Sequence, residues 1–531
     1  MPPLGRRDFL RATLIGSSSL VVGCEPRPLG PGGAPGVITA GGARPTLPYG
    51  VQSGDVTASR AVIWSRSDRP SRMVVEWSTQ ANFGTVNRAF GPLATPERDF
   101  TAAVDLDGLP ANSPIYYRVI FEDTDRGSAR SEPAYGSFRT ALADRGDRGD
   151  IRFVWGGDVV GQGWGIDVAR GGMTIFETMR RAQPDFLVHV GDMIYADNPL
   201  KGEVRLHDGS IWKNWVTPAK AKVAETLDEF RGNFAYNLLD QNLRRFNAEV
   251  PSLVMWDDHE THDNWWPGEV LDWDPRYTVE KRVDVLSARA RQAMFEYTPI
   301  RWDGRDARVY RSIRRGPSLE VILLDERSYR GPNSENRQAV MGPETAFLGA
   351  EQLRWLKQTL ASSTATWKVI GTDMPLSLVV GDGLRQHKSW FEAWSNGEGP
   401  PLGRELELAD LLRFIRAQRI KNVVWLTADV HYAAAIEHDP SRAEFREFDP
   451  FWQFVAGPFH ASTLGPNALD PTFGPRVVYQ SPRPGPTLRA PSDGGQYFGQ
   501  VRIDGKTEVM TVSLHDLRGS ELYAVELRPE R

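Results

Sequence analysis

The fold of this chain is decided by the stretch Phe186-Leu187-Val188-His189-Val190-Gly191-Asp192-Met193-Ile194-Tyr195. It opens with a mostly apolar run of the kind that forms a buried strand. The chain then turns at Gly191 and presents Asp192, followed by Tyr195. Four other segments share this design, in which polar residues directly follow an apolar run: residues 151–155, 253–256, 368–370 and 423–426.

Polar residues capable of binding metal follow all five runs. They are Asp158, Asp192, Tyr195, Asp257, Asp258, His259, Asp373, Asp429 and His431. In open α/β sheets the ligand site lies outside the carboxyl ends of the strands, so we expect one shared site at one sheet edge. Carboxylates gathered there would repel one another unless cations neutralised them. Oxygen ligands with few imidazoles and no thiolate favour Fe, Mn, Ca or Mg over structural zinc.

Each of these residues, taken singly, also has an ordinary structural interpretation. An aspartate after a strand often caps the next helix, and a single tyrosine or His189 is more often part of a core. The run Asp257-Asp258-His259-Glu260 is harder to explain in this way, because four adjacent ionisable residues at a strand end are costly without a role. The metal hypothesis therefore depends on the whole set.

Length and charge limit the classes of function. A chain of 531 residues predicts at least two domains. A formal net charge of −5 gives no general attraction to nucleic acid or to an anionic membrane. The 17 tryptophans favour a large aromatic core over a carbohydrate-binding platform.

The first 24 residues are typical of an export signal. Arg6-Arg7-Asp8-Phe9-Leu10 resembles a twin-arginine motif, and a short apolar run ends in Val21-Val22-Gly23-Cys24, which resembles a lipobox. We favour lipidation of Cys24 over a plain signal peptide with a chance cysteine. Residues 25–45, rich in Pro and Gly, predict a tether. The mature chain has no apolar run long enough to span a bilayer.

Along the rest of the chain, the sequence pattern changes once. Residues 46–141 contain about seven short β-like runs separated by turn signals, which predicts an immunoglobulin- or fibronectin-like sandwich without a disulfide. Residues 142–150 form a charged, glycine-punctuated linker. From residue 151 strands alternate with helices, the pattern of an α/β domain. We predict helices at 219–247, 283–297, 351–360 and 402–418, and a hairpin turn at Asp504-Gly505.

Three ordered motifs resemble those of the PhoD-like alkaline phosphatase/phosphodiesterase family, a branch of the calcineurin-like and purple-acid-phosphatase metallophosphoesterases. They are Gly191-Asp192-Met193-Ile194-Tyr195, Trp256-Asp257-Asp258-His259-Glu260 and Thr427-Ala428-Asp429-Val430-His431. The similarity runs from about residue 47 to the C-terminus and includes residues 323–330. The resemblance implies a metallophosphoesterase sandwich of mixed α/β sheets flanked by helices over residues 151–531, preceded by the small all-β domain.

The resemblance also implies roles for single residues. Asp192 matches the bridging carboxylate and Tyr195 the phenolate ligand of a ferric ion. Asp258 matches a ligand of the second metal, and His259 the residue that contacts a phosphoryl oxygen or protonates the leaving group. Asp429 and His431 match the final ligand pair. Asp158 replaces the cysteine ligand of the family pattern, and Asp373 lies where other members place a ligand.

The predicted cofactor is a centre of two or three metals, Fe³⁺ with Ca²⁺, with Mn²⁺ or Mg²⁺ as alternatives. The predicted function is an exported phosphoesterase, periplasmic or on the cell surface, that hydrolyses phosphate monoesters or diesters by attack of a metal-bound hydroxide. The expected substrates are small-molecule, lipid or nucleotide-type phosphate esters, and the expected export partner is the twin-arginine machinery. Two alternatives stay open: a surface-anchored protein that binds through its N-terminal sandwich, and a metal-dependent hydrolase of another bond.

Overall fold

The structure is a computed structural model that describes residues 44–124, 129–302, 304, 307–383, 389–482 and 489–530. The predicted signal segment, Cys24 and nearly all of the predicted tether lie outside the described residues. Among the residues that are described, no helix has the length and apolar character needed to cross a membrane.

The N-terminal part of the described chain is built only of strands and short turns. The strands are β1 (Val51–Gly54), β2 (Ala61–Arg66), β3 (Ser71–Ser78), β4 (Asn87–Ala94), β5 (Thr101–Leu106), β6 (Pro114–Asp123) and β7 (Ala134–Arg139). Burial alternates along β6, as expected for a strand with one face on a core. The all-β N-terminal part predicted from the sequence is therefore confirmed.

The remainder mixes strands with helices. The first group is β8 (Ile151–Gly156), α1 (Thr174–Arg181), β9 (Phe186–Val190), β10 (Glu203–Arg205), β11 (Ile211–Lys213), α2 (Leu227–Asn237), α3 (Gln241–Glu249), β12 (Ser252–Met255) and α4 (Val283–Tyr297). The second is β13 (Arg311–Arg314), β14 (Leu319–Leu323), α5 (Gly349–Ser362), β15 (Trp367–Gly371), α6 (Glu405–Ala417) and β16 (Val423–Thr427). The last is β17 (Ala434–His438), β18 (Phe451–Val455), β19 (Pro475–Gln480), β20 (Tyr497–Ile503), β21 (Met510–Asp516) and β22 (Glu521–Leu527).

Two large mixed sheets organise these elements. One has nine strands in the order β22-β21-β20-β8-β9-β12-β1-β2-β5, and the other has seven in the order β13-β14-β15-β16-β18-β17-β19. Strands β8, β9 and β12 are mutually parallel, as are β14, β15, β16 and β18. A four-stranded sheet, β4-β3-β6-β7, belongs to the N-terminal part, and β10-β11 form a separate hairpin.

The two large sheets pack face to face between helices. Val188 of β9 and Val369 of β15 are both fully buried in the same central core. On the outer face of the nine-stranded sheet, α1 and α3 pack through residues such as Phe176 and Phe246. On the outer face of the seven-stranded sheet, α5 and α6 pack through residues such as Leu356. The predicted sandwich of mixed sheets flanked by helices is confirmed.

Three details differ from the sequence predictions. The long helix expected at 219–247 is two helices, because the side chain of Asp240 caps α3 by accepting from the backbone N–H groups of Asn242 at 2.8 Å and Leu243 at 2.9 Å. The five strand ends belong to two facing sheets and not to one. The N-terminal sandwich is not separate, since β1 pairs in parallel with β12 at Gly54 and Ser252.

Candidate metal centre

The carboxyl ends of five parallel strands, three in one sheet and two in the other, carry the predicted ligands. Asp158 follows β8, Asp192 follows β9, Asp257 and Asp258 follow β12, Asp373 follows β15, and Asp429 with His431 follows β16. Parallel strands within each sheet and face-to-face packing of the sheets bring these ends together. The convergence expected at one sheet edge is thus achieved between two sheets.

Tight turns place several of these side chains. Asp158, Asp192, Asp429 and His431 all have left-handed backbones, with φ of 69°, 52°, 59° and 59°. Residues with a side chain rarely adopt this conformation, and aspartate tolerates it better than most. Such strain persists where surrounding structure enforces it, and it concentrates at functional sites.

Acidic and histidine side chains form three groups able to hold a cation. They are Asp158, Asp192 and His431; Asp192, Asp258 and His259; and Asp257, Asp258 and Asp429. Within each group, one ligand atom per residue lies within 4.8 Å of the others. Asp192 belongs to two groups and so does Asp258, so neighbouring cation positions share carboxylates. All members are buried except Asp429, which is half-buried.

Two buried oxygen atoms support a cation at these positions. Oδ2 of Asp158 and Oδ1 of Asp258 have no hydrogen-bond partner among the described residues. A buried carboxylate oxygen without a donor is costly, and a cation would remove that cost. The donor set of carboxylates and imidazole therefore fits a bound metal.

Burial and mutual repulsion hold several carboxylates away from their charged form. Burial, reinforced by Asp257 and Asp258, raises the pKa of Asp192 well above its usual range. Burial also raises the pKa of Asp158 and of Asp429. Cations placed among these groups would restore the charged form, because an adjacent positive charge favours a carboxylate.

Tyr195 lies against the first group. Its hydroxyl is 2.8 Å from Nε2 of His431, and its ring stacks on His259 at 4.1 Å between centroids. Burial, with Asp192 and Asp158 nearby, raises the pKa of the Tyr195 phenol. Nδ1 of His431 lies 2.6 Å from the carbonyl oxygen of Ser462, which leaves Nε2 facing the tyrosine and Asp158. The phenolic oxygen thus borders the same cation position as Asp158.

His259 is fixed by residues around it. Its Nδ1 lies 2.8 Å from Oδ1 of Asp197, and its backbone N–H donates to Asp192 at 3.2 Å. Burial opposes a charge on the imidazole, but Asp197 and Asp258 outweigh it and raise the pKa of His259. Asp197 was not among the residues predicted from the sequence, and its place five residues after Asp192 was the available signal.

The acidic run after β12 divides into different roles. Asp257 and Asp258 belong to the cation groups, whereas Glu260 accepts from the backbone N–H groups of Met193 at 2.6 Å and Asp257 at 2.8 Å. The Asn264 N–H donates to Oδ2 of Asp258 at 2.5 Å. Glu260 therefore ties the loops after β9 and β12 together.

Asp373 lies outside the three groups. It forms an ion pair with Nε of Arg327 at 3.3 Å. The same buried guanidinium donates to Asp257 at 2.6 Å and to Glu392 at 2.8 Å. The ligand role of Asp373 stays a prediction, and its observed partner is an arginine that the sequence analysis left without a role.

Comparison with known proteins agrees with this geometry. The model of the PhoD-like phosphatase family matches residues 153–514, and the model of the PhoD-like phosphatase N-terminal domain matches residues 33–142. The chain belongs to the PhoD-like phosphatase family. The resemblance to the PhoD-like family, inferred from the three motifs, is thereby confirmed.

Individual relatives agree with the family assignment. Alkaline phosphatase D of Bacillus subtilis (strain 168) is 26% identical over 421 residues, which cover 72% of this chain. This PhoD-like chain spans less than two thirds of the relative's length, 64%. A solved structure of PhoD aligns with a TM-score of 0.66 at 21% identity over 91% of this chain and 89% of that one. Purple acid phosphatase PPD1 from yellow lupin aligns with a TM-score of 0.57 at 13% identity, over 91% of this chain and 74% of that one. The last two likenesses concern the fold.

Proposed function

We propose that this PhoD-like protein is an exported, metal-dependent phosphoesterase that hydrolyses phosphate monoesters or diesters. The observation that carries the proposal is the set of three adjacent cation groups linked by Asp192 and Asp258. Adjacent cations sharing a carboxylate suit a phosphoryl displacement, in which charge develops on both the attacking and the leaving oxygen. Membership of a phosphatase family supports the same reaction.

The residues that would hold the metals are Asp158, Asp192, Tyr195 and His431 on one side, and Asp257, Asp258 and Asp429 on the other. When bound, the cations would supply Lewis acidity and an activated water. We propose Fe³⁺ beside Tyr195 with Ca²⁺, or alternatively Mn²⁺ or Mg²⁺, next to the carboxylates. Oxygen donors predominate in the second set, which suits a hard cation.

We propose that His259 protonates the leaving alcohol. Asp197 and Asp258 favour its charged form, so a proton is available at this imidazole. Since Asp197 engages Nδ1, the proton for the ester would come from Nε2, the nitrogen that lies 3.5 Å from Asp263. A general acid is needed most when the leaving alcohol is a poor leaving group.

The decisive experiment combines metal analysis with two substrates. Protein exported by its own signal should contain metal by mass spectrometry and should hydrolyse p-nitrophenyl phosphate, bis-p-nitrophenyl phosphate or both. Removing the metals should abolish hydrolysis and adding them back should restore it. A metal-free preparation with full activity would contradict the proposal.

The iron assignment has its own test. A ferric–tyrosinate centre absorbs visible light, so native protein should be coloured and Tyr195→Phe should lose the band. The matched control is Tyr432→Phe, because Tyr432 is also buried beside the turn after β16 but belongs to another core cluster. An active protein that is colourless and free of iron would remove iron from the proposal.

We propose export from the twin-arginine motif and the apolar run before Cys24, and we propose that the protein resides in the periplasm or on the cell surface, held there by a lipid on Cys24. Replacing Arg6-Arg7 by two lysines should retain the protein in the cytoplasm. Cys24→Ala should release it from the membrane fraction while activity is kept. Unchanged fractionation of both variants would overturn the export and anchor proposals without affecting the proposed reaction.

A further inference from the structure

A large open groove lies at the end of the seven-stranded sheet opposite the metal centre. Its volume is about 740 Å³. Lys368 near the start of β15 lines it, as do the residues just before β16. Asp373 and Asp429 follow the opposite ends of these same strands, so at about 3.3 Å per residue from Lys368 and from Asn422 the groove and the centre are roughly 15–25 Å apart.

The groove is basic although the protein is acidic overall. Five basic side chains line it, against two acidic ones, in a chain whose formal net charge is −5. The basic residues are Arg148, Lys368, Arg419, Lys421 and Lys506, and the acidic ones are Glu508 and Glu530. A concave surface of one sign concentrates counter-ions of the other sign.

Both acidic side chains already have partners. Glu508 accepts from Ser318 at 2.7 Å and pairs with Arg148 at 3.2 Å, and Glu530 pairs with Lys421 at 3.1 Å. Within the described part of the chain, Lys368, Arg419 and Lys506 have no carboxylate within ion-pair distance. The groove therefore keeps an excess of three cationic groups.

Lys368 is the most unusual of these groups. Its side chain is buried, with 8% of the residue exposed, and Nζ donates to the carbonyl oxygen of Lys421 at 3.2 Å. Burial, and then Arg314, lowers the pKa of Lys368. Glu320 on the neighbouring strand β14 offsets part of the cost of burying this ammonium, and an anion in the groove would reduce the cost further.

We propose that this groove is a second anion site that binds a compact polyanion carrying several phosphate or sulfate groups. Its volume falls in the range of sites for drug-sized ligands of about 300–1,000 Å³. Hydroxyl groups of Thr364 and Thr366 line it beside the cations and offer further donors. The site is separate from the metal centre and does not depend on the proposed hydrolysis.

The test uses the full exported protein and sucrose octasulfate, a polyanion without a phosphate ester. Calorimetry should detect binding that weakens as salt is added, because salt screens charges at an exposed surface. The double variant Arg419→Gln/Lys506→Gln should weaken binding about tenfold, since two Coulomb attractions are lost. Hydrolysis of p-nitrophenyl phosphate should be unchanged.

Matched controls separate the possible outcomes. Arg413→Gln/Arg416→Gln removes the same charge from α6 outside the groove and should leave binding unchanged. Lys368→Met should also weaken binding, and its melting temperature reports whether the fold is kept. Equal binding by the groove variant and the control would overturn the proposal, as would binding to phosphatidylglycerol vesicles without binding to sucrose octasulfate.

Discussion

Single residues at the strand ends account for most of the chemistry proposed for this protein. Asp192 and Asp258 are the shared members of the cation groups, and Tyr195 and His259 lie stacked beside them. Each is buried, and burial together with neighbouring charges shifts the pKa of each. Substitutions of these single residues should therefore reduce metal content and the rate of hydrolysis more than they reduce the free energy of unfolding.

Asp192→Asn should reduce phosphate-ester hydrolysis by at least about a hundredfold, since the loss of a preorganised charge in an active site costs on this order. The amide keeps the shape of the carboxylate but removes the charge shared by two cation groups. The measurements are kcat and metal content by mass spectrometry. Asp504→Asn, in the exposed turn after β20, is the control. Wild-type activity with full metal content in Asp192→Asn would contradict the proposed mechanism.

Asp197→Asn should lower kcat about tenfold to a hundredfold, as loss of a partner that orients an active-site histidine does. Asp197 holds Nδ1 of His259 at 2.8 Å. The loss should be larger for an alkyl phosphate than for p-nitrophenyl phosphate, because only the alkyl alcohol needs a proton to depart. Equal losses for both substrates would indicate a structural role for Asp197 alone.

Buried histidines far from the centre predict how stability depends on pH. Burial lowers the pKa of His438 from 6.5 to about 3. Between these values the unfolded chain binds a proton that the folded chain does not, so the free energy of unfolding falls as pH falls, by up to about 1.4 kcal/mol per pH unit.

His438→Gln should remove this contribution from the slope of unfolding free energy against pH, measured by urea denaturation from about pH 6.5 to about pH 4.5. His207→Gln is the matched control, because His207 is exposed. A slope equal to that of the wild type in His438→Gln would show that the buried imidazole is protonated in the folded protein.

At the scale of single elements, helix ends show how local sequence fixes structure. Thr226 caps α2 in a reciprocal arrangement: its hydroxyl accepts from the Glu229 N–H at 3.3 Å, and the Glu229 carboxylate accepts from the Thr226 N–H at 2.9 Å. A 3.6-residue apolar pattern runs through both α2 and α3, which is why the sequence predicted one long helix there. The cap at Asp240 decides where the second helix begins.

Thr226→Ala should cost about 0.5–2 kcal/mol of unfolding free energy, the usual range for loss of a side-chain cap. Thr217 precedes a short helical turn without capping it through its side chain, so Thr217→Ala is the control. Chemical denaturation of both variants gives the comparison. Equal costs at the two positions would mean that the capping box of α2 contributes nothing.

At the scale of the whole molecule, the N-terminal strands and the metal-binding part share one sheet. Trp64 of β2 is buried in the central core; its indole N–H donates to the carbonyl oxygen of Glu296 at 2.6 Å, and its ring lies 5.8 Å from that of Tyr297. Arg311 of β13 pairs with the buried Asp55 at 2.8 Å. We therefore expect the two parts to unfold together.

Trp64→Ala should destabilise the entire molecule by about 3–5 kcal/mol, the usual cost of removing a buried large aromatic side chain. Calorimetry should show one transition at a lower temperature, accompanied by loss of the native metal centre. Phe90→Ala is the control, since Phe90 is 63% exposed on β4. Two separate transitions, only one of them shifted, would show that the parts fold independently.

The sequence by itself determined the strands and the candidate ligands that follow them. Apolar runs followed at once by Asp158, Asp192, Asp258 and Asp429 identified the strands and the candidate ligands, because burial and strand period are local properties of the chain. The ordered motifs identified the family. The same local reasoning placed α4, whose bounds at Val283–Tyr297 are those predicted.

Tertiary structure alone decided which residues meet. Asp197 reaches His259, Arg327 joins Asp257 to Asp373, and β1 joins β12, all across separations of more than forty residues. Hydrophobic periodicity in the sequence does not predict such contacts, since they depend on how the two sheets stack. The basic groove also arises only in three dimensions, where Lys368 of β15 and Lys506 of the turn between β20 and β21 lie at the same end of the molecule.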